Sequence, residues 1–385
     1  MNDKTWVVIP TYWGQNGTQE HPSDTGVFDH PTEVDGHETL ERTVKNIVSF
    51  QDDFKVLILL AVTHKEYKKS AKVRVEKILT KYKDQKEIYL VCNDDLDEFN
   101  EKFERSPLNF RTYGAIRNVQ LAIPYMMGAD IVIAIDDDEI ISDKQYFNYV
   151  SQIMENDNID LLSGVYLNEK ESYLLPKINS TDANPFIQKL NLINAVVTNA
   201  MSNPIQPHRT HIGFGGNMIF SRKIMENVCF DEYIPRGEDF DYILNALAAD
   251  YSVYFDKNIP ITHLPVSKPS KPGEIKVTSD IKRHIYTYYK KQSLQMNVKQ
   301  DIYPGDFLKD IEDLKKYSII AYKEESKKSL QESTYEVNKI IEEVLENKDI
   351  YTKQKLSWKE FIEIFQKNQL LLNFSIKWAK CIKLT

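Results

Sequence analysis

Four acids in succession, Asp136-Asp137-Asp138-Glu139, close the apolar run Ile131-Val-Ile-Ala-Ile135. A β-branched or small apolar residue at every position of that run predicts a strand buried on both faces. Carboxylates crowded at its end repel one another, so they need either a solvated turn or a positive partner. A divalent cation that also carries phosphate oxygens would be such a partner.

Other residues could join them. Arg117 lies in Tyr113-Gly-Ala-Ile-Arg117-Asn118, at the start of a predicted helix, where it is either a surface cation or a contact for an anionic ligand. The run Gly213-Phe-Gly215-Gly216-Asn217 could cradle a ligand or let two backbones approach closely. In Arg236-Gly237-Glu238-Asp239 the acids open a predicted helix, where they would offset its N-terminal dipole. His263 stands in a Thr-His-Leu-Pro turn, a common place for a structural histidine.

The elements that must position these residues follow from periodicity. Strands are expected at Trp6–Ile9, stopped by Pro10, and at Lys55–Val62, Glu87–Cys92 and from Ile131 into the acids. Between them, helical spacing covers Glu38–Phe50, Lys65–Tyr82 and Thr112–Met127. This alternation predicts a mostly parallel α/β sheet with right-handed crossovers, and ligands in such sheets sit outside the carboxyl ends of the strands. Downstream, a helix is expected at Lys144–Met154, a strand at Asp160–Leu167, a helix at Phe186–Met201 and short strands around residues 252–263. The stretch from Thr11 to His37 is long for a connection, which marks it as functional or mobile. A Pro- and Ser-rich segment from Leu264 to Glu274 divides a domain of residues 1–265 from a helical C-terminal extension, residues 266–385.

Composition narrows the function classes. With 49 Lys and Arg against 57 Asp and Glu, the net charge of −8 argues against a nucleic-acid backbone as principal partner. Cys92, Cys229 and Cys381 fall in no C-x-x-C pair, so neither a disulfide framework nor a zinc site is indicated. No signal peptide and no spanning apolar run stand out, and a cytoplasmic enzyme is expected. Lys377, Lys380 and Lys383 beside an apolar stripe would suit a peripheral membrane contact.

In order along the chain, Val7-Val-Ile-Pro10-Thr11, Tyr113 to Asn118, Gly128 to Asp138, and Arg236 to Asp239 resemble the motifs of family-2-type glycosyltransferases with the GT-A fold. The resemblance covers roughly residues 5 to 265 and implies transfer of a sugar from a nucleotide diphosphate to an acceptor hydroxyl. It implies that Asp138 ligates Mn²⁺ or Mg²⁺, with Asp136 on the ribose or metal side and His263 completing the site. An imidazole ligand favours Mn²⁺. By the same resemblance Pro10, Thr11, Tyr12, Arg117, Asp136, Asp137, Gly215, Gly216 and Asn217 would line the donor, and Asp239, with Glu238 as fallback, would be the base. Strand alternation would turn Asp137 away from the ligand.

Two departures stand out. Ala61-Val-Thr63-His64 replaces the acidic segment that reads the base, leaving Asp94 or Asp95 as substitutes. The Gln-x-x-Arg-Trp motif of processive synthases is absent, which favours a single transfer to an acceptor that could be glycan, lipid or small molecule. Two other classes fit the acids: a sugar-phosphate nucleotidyltransferase, though Tyr12 to Thr18 lacks the basic residue such a loop needs, and a non-catalytic scaffold that binds a structural cation.

Overall fold

Alternate residues of the first strand, β1 (Thr5–Trp13), feed two hydrophobic clusters on opposite faces of one sheet: Trp6 and Val8 face one, Val7 and Ile9 the other. Both faces are covered, so a strand of continuous apolar residues is what the position requires. The computed structural model describes residues 4–14, 31–103, 105–155, 159–265, 273–294, 310–368, 375, 377–380 and 382–384. Most of the long 11–37 connection and most of the Pro- and Ser-rich segment therefore lie outside the described residues, as does Cys381.

The other strands are β2 (Lys55–Val62), β3 (Ile88–Cys92), β4 (Ile131–Ala134), β5 (Glu139–Ile140), β6 (Leu161–Ser163), β7 (Tyr166–Leu167), β8 (His208–Arg209), β9 (Met218–Ser221), β10 (Val253–Phe255) and β11 (Ile261–His263). Eight of them form a sheet in the order β3-β2-β1-β4-β9-β6-β10-β8, and β5-β11-β7 form a small second sheet. Pairing is parallel throughout β3-β2-β1-β4 and between β6 and β10; β9 and β8 run the other way. This is the mostly parallel α/β sheet expected from the sequence, in an arrangement consistent with the GT-A type.

Helices α1 (Leu40–Val48), α2 (Lys68–Leu79) and α5 (Tyr146–Met154) pack on one face. On the other lie α3 (Asn93–Lys102), α4 (Tyr113–Met126), α7 (Arg222–Asn227), α8 (Glu238–Ala248) and the late α12 (Ile350–Lys367). Helix α6 (Lys189–Ser202) leans on Val165 and Phe255, and α9 (Gly273–Ser293), α10 (Ile311–Ser326) and α11 (Leu330–Asn347) share a third cluster built on Ile281, Ile285, Leu314 and Val337.

Several boundaries differ from expectation. Proline does not end β1. In this strand the even-numbered residues present their polar groups to the side where the Val8 carbonyl accepts from Ile135 N. Since β4 stops at Ala134, opposite Val8, the N–H that Pro10 lacks would have had no strand to pair with. The expected strand at 160–167 is two, β6 in the large sheet and β7 in the small one. The three aspartates are not strand either: β4 ends at Ala134 and Asp136–Asp138 form a turn, with Glu139 N, at the start of β5, bonded to Asp136 O at 3.2 Å.

The C-terminal helices are tied to the α/β part. Trp358, Phe361, Ile362 and Phe365 of α12 join the cluster under the sheet, and Trp358 Nε1 donates to Met225 O at 3.1 Å. Beyond α12, Trp378 packs on Phe99, Leu384 N bonds Ile88 O and Lys383 pairs with Glu87 at 3.2 Å. The apolar side chains of that last stretch which are described thus face the protein core. No helix among the described residues is long and apolar enough to cross a membrane.

Candidate active site

The carboxyl ends of β1 and β4 deliver the acidic turn. Thr43 of α1 holds it from below, donating its hydroxyl to the Asp137 and Glu139 carbonyls at 2.9 and 2.8 Å. Glu139 is fully buried, and its Oε2 accepts the Asp136 backbone N–H at 2.7 Å. Burial, and then the charges of Asp136 and Asp138, push its carboxyl well above the usual carboxylate range. Glu139 is therefore a turn-forming residue. Its space is left by Gly216, where a Cβ would overlap the Glu139 carboxylate.

The acids diverge from this turn. Asp137 turns towards β1, where its Oδ2 accepts the Thr11 hydroxyl at 2.5 Å. Asp138 faces β11, whose antiparallel pairing sets His263 opposite Glu139. His263 Nε2 lies 3.2 Å from Asp138 Oδ2, and the ring stacks on Tyr166. Asp136 faces the other way, its Oδ1 2.8 Å from Arg117 Nη2.

Arg117 sits one turn into α4, which is capped by the Thr112 hydroxyl accepting from Ala115 N at 3.2 Å. It is buried and fixed by Gln120, which receives its Nη1 at 3.2 Å and itself donates to Val8 O. Burial opposes its charge, but Asp136 and its other anionic neighbours outweigh that and hold its pKa above the ordinary value. Its Nε is 3.8 Å from Glu238 Oε1.

Helix α8 begins at Gly237, whose φ of +74° suits glycine. Asp239 Oδ2 accepts from Gly215 N at 3.2 Å and Oδ1 from Phe240 N at 2.9 Å. Burial raises the pKa of Asp239; burial and then the Asp239 charge raise Glu238 to about 7 from an ordinary 4.5. The native state thus binds more protons than the unfolded one between those two pH values, and ionising Glu238 costs stability that is lost as pH rises. Glu238→Gln is expected to be more stable than the parent above pH 7 by about 1–2 kcal/mol, with the gap closing towards pH 4.5. Thermal melts of both proteins across that range check it.

These groups line one pocket of about 390 Å³, with Tyr12, Tyr113, Arg117, Asp136 and Tyr166 at one end and Glu238 and Asp239 between that end and Arg236, Lys189, Asp280 and Arg283. Gly215 lies at its wall, where a Cβ would stand 3.0 Å from Arg117 Nη2. Not every candidate reaches it. Asp137, Asp138, Gly216 and His263 are not among its lining residues, although Asp138 and His263 lie beside Asp136 and Tyr166, which are. Asn217 is fully buried, its side chain spent on Tyr146 Oη at 2.9 Å and the Ile259 carbonyl at 2.8 Å. Pro10 and Thr11 are buried within β1. Asp94 and Asp95 are engaged by Lys68 and Lys72 of α2, and Asp95 also bonds Cys92 N. Sequence reasoning missed Tyr166, Lys189, Asp280 and Arg283; Arg236 alone had a local signal, the motif it begins.

Among the described residues no three His, Cys, Asp or Glu side chains converge as a metal cage. Asp138 and His263 nevertheless fit a divalent ion. Two ligands each about 2.1 Å from an octahedral ion at right angles are roughly 3.0 Å apart, close to their observed 3.2 Å. One carboxylate and one imidazole leave the remaining positions for phosphate oxygens and water.

No family model matches this chain, and no curated protein matches it. Solved structures with a similar arrangement include the mannosyltransferase PcManGT from Pyrobaculum calidifontis in complex with GDP-Man and Mn²⁺, at 10% identity over 99% of this chain and 88% of that one, with a TM-score of 0.44. Another is S. aureus TarS 1-349, at 11% identity over 90% and 91% of the two chains and a TM-score of 0.41. A third is GalNAc-T7 with UDP, GalNAc and Mn²⁺, at 13% identity over 88% of this chain and 57% of that chain, TM-score 0.41. Likenesses this distant do not carry a function from one chain to another.

Proposed function

We propose that the protein is a metal-dependent glycosyltransferase that moves one sugar from a nucleotide-diphosphate donor to an acceptor hydroxyl. One observation carries this reading: the pair Asp138–His263 flanks an acidic turn whose next acid, Asp136, is bonded to buried Arg117, which in turn neighbours the paired carboxylates Glu238 and Asp239. A divalent ion on Asp138 and His263 would neutralise the negative charge that develops on a leaving diphosphate. Tyr12 and Tyr113, set edge to face at 5.2 Å, offer aromatic walls beside the nucleotide end. Arg117 holds Asp136 in place and keeps a positive charge where the diphosphate would lie. Asp239, with its pKa raised and its oxygens oriented by two backbone N–H groups, suits the removal of a proton from an acceptor hydroxyl. Glu238 is the alternative base.

The test is to incubate the protein with UDP-, GDP- and dTDP-sugars, with and without Mn²⁺, and follow nucleoside diphosphate release. Mn²⁺-dependent release that disappears in Asp239→Asn is expected. Pyrophosphate release from a nucleoside triphosphate would favour a nucleotidyltransferase instead. NMR of the product's anomeric centre then decides inversion or retention.

A further inference from the structure

Two pockets follow one another along α6. Lys189 and Ile193, from its first half, line the candidate active-site pocket, while Val196 and Ala200, from its second half, line another of about 620 Å³. At about 100° per residue these four positions fall within roughly 60° of one another, so both pockets open on one side of the helix. The facing wall is shared in the same way: Thr210 and Ile212 border the larger pocket, and Gly215 borders the active-site one. Ile212 and Phe214 of that wall pack with Ile193, Val197 and Ala200 of α6 in one apolar cluster. The same two walls therefore continue from one pocket into the other, and from Ile193 to Ala200 the helix rises about 10 Å.

The chemistry of the larger pocket is that of a site for neutral hydroxyls. No Asp, Glu, Lys or Arg occurs from 190 to 208, in a chain that is 28% charged. Among the described residues no carboxylate lines the pocket, and its one arginine, the exposed Arg209, donates from Nε to Tyr254 Oη at 3.4 Å. The polar lining comes from Asn199, Ser202, Asn203 and Thr210. Amides and hydroxyls both donate and accept, as sugar hydroxyls do. Asn203 Oδ1 accepts from Ile205 N at 2.9 Å and Thr210 Oγ1 from Ile212 N at 3.2 Å, which orients the Asn203 amide and the Thr210 hydroxyl and leaves their hydrogens to donate. Val196, Ala200 and Ile212 supply apolar surface beside these groups, the mixture that holds and orients an uncharged polar molecule.

We propose that the groove along α6 is an extended acceptor site, in which the pocket between α6 and residues 208–212 holds a sugar unit of a neutral oligosaccharide whose reacting hydroxyl lies at Asp239. A monosaccharide at Asp239 would leave this pocket empty, so affinity should grow with chain length. That the oligosaccharide is the acceptor rests on the glycosyl-transfer reading; that one binds along α6 does not.

The experiment is a calorimetric titration of the full chain, without metal, with the disaccharide and the tetrasaccharide of each of four neutral series: maltose, cellobiose, mannobiose and chitobiose. In the parent at least one tetrasaccharide is expected to bind roughly 10-fold more tightly than its disaccharide. Val196→Trp fills the pocket from a helix position that is 36% exposed, and Asn203→Ala removes a hydrogen-bonding side chain from its wall. Thermal melts report folding of both, and the exposed position of the first guards against a folding defect in the second. Each variant is expected to lose most of the gain from disaccharide to tetrasaccharide. Failure of all four tetrasaccharides to bind the parent overturns the proposal, as does an undiminished gain in a folded variant. Dodecyl maltoside that binds the parent more tightly than maltotetraose, and is lost in Val196→Trp, would overturn it in favour of a lipid-tailed ligand. A separate titration of the parent with Mn²⁺ and UDP or GDP tests the donor reading. If no nucleotide binds while a tetrasaccharide binds through Val196 and Asn203, the oligosaccharide groove stands and the glycosyl-transfer reading falls.

Discussion

Replacing Lys290 by methionine lowers stability by about 3–5 kcal/mol, the largest single loss of stability expected in this fold. Lys290 is 1% exposed, and its Nζ lies 2.7 Å from Asp231 Oδ2 and 2.7 Å from Asp241 Oδ2. Tyr286 donates to the same Asp231 oxygen at 2.8 Å, and the ammonium lies over the Tyr351 ring. The triad joins α9 to α8 and to the loop before it. Methionine fills much of the volume but leaves two buried carboxylates without a cation. Burial already pushes Asp241 up to about 6 with Lys290 in place, so without it the pair would have to take up protons. Urea denaturation at pH 7 measures the loss. Adding Asp231→Asn and Asp241→Asn to the methionine variant is expected to recover a good part of it, since the charges rather than the shape are at fault.

Arg117→Lys is expected to cut turnover of a nucleotide sugar roughly 100-fold while leaving the protein folded. The side chain is held at three points at once: Gln120, Asp136 and, more loosely, Glu238. Lysine keeps the charge but has no fork, so it cannot hold Asp136 and meet Gln120 together. Asp136 is then free to swing, and the wall formed at Gly215 loses the guanidinium it was shaped around. Arg117→Met should be worse, because Asp136 loses the buried cation 2.8 Å from it and Glu238 the one 3.8 Å away. Steady-state kinetics on the first variant and urea melts on both separate the catalytic from the structural share.

Much of this was legible before the fold was known. Acids stacked at the end of an apolar run identify a strand end, and Asp138 and His263 do meet. Arg117 and the α8 acids, distant in sequence, line one pocket as expected. What could not be read was direction. Gly216 and Asn217 adjoin Gly215 in sequence, yet they face Glu139 and the core; a helical turn between extended segments rotates successive residues away from any common face. Lys189, Asp280 and Arg283 had no local signal at all. Their meeting depends on where α6 and α9 dock, which is set by clusters of apolar side chains drawn from several distant parts of the chain. Pro10 sits inside β1 because β4 is short, a fact about another strand.

The central claim is that Asp138, with His263, holds a divalent ion together with a nucleotide diphosphate. Its most direct test is calorimetric titration of UDP and GDP into the parent and Asp138→Ala, each with and without Mn²⁺. The account predicts Mn²⁺-dependent binding of one of these nucleotides to the parent and a loss of roughly 100-fold in the variant. Binding that is independent of Mn²⁺, or undiminished in Asp138→Ala, would contradict it.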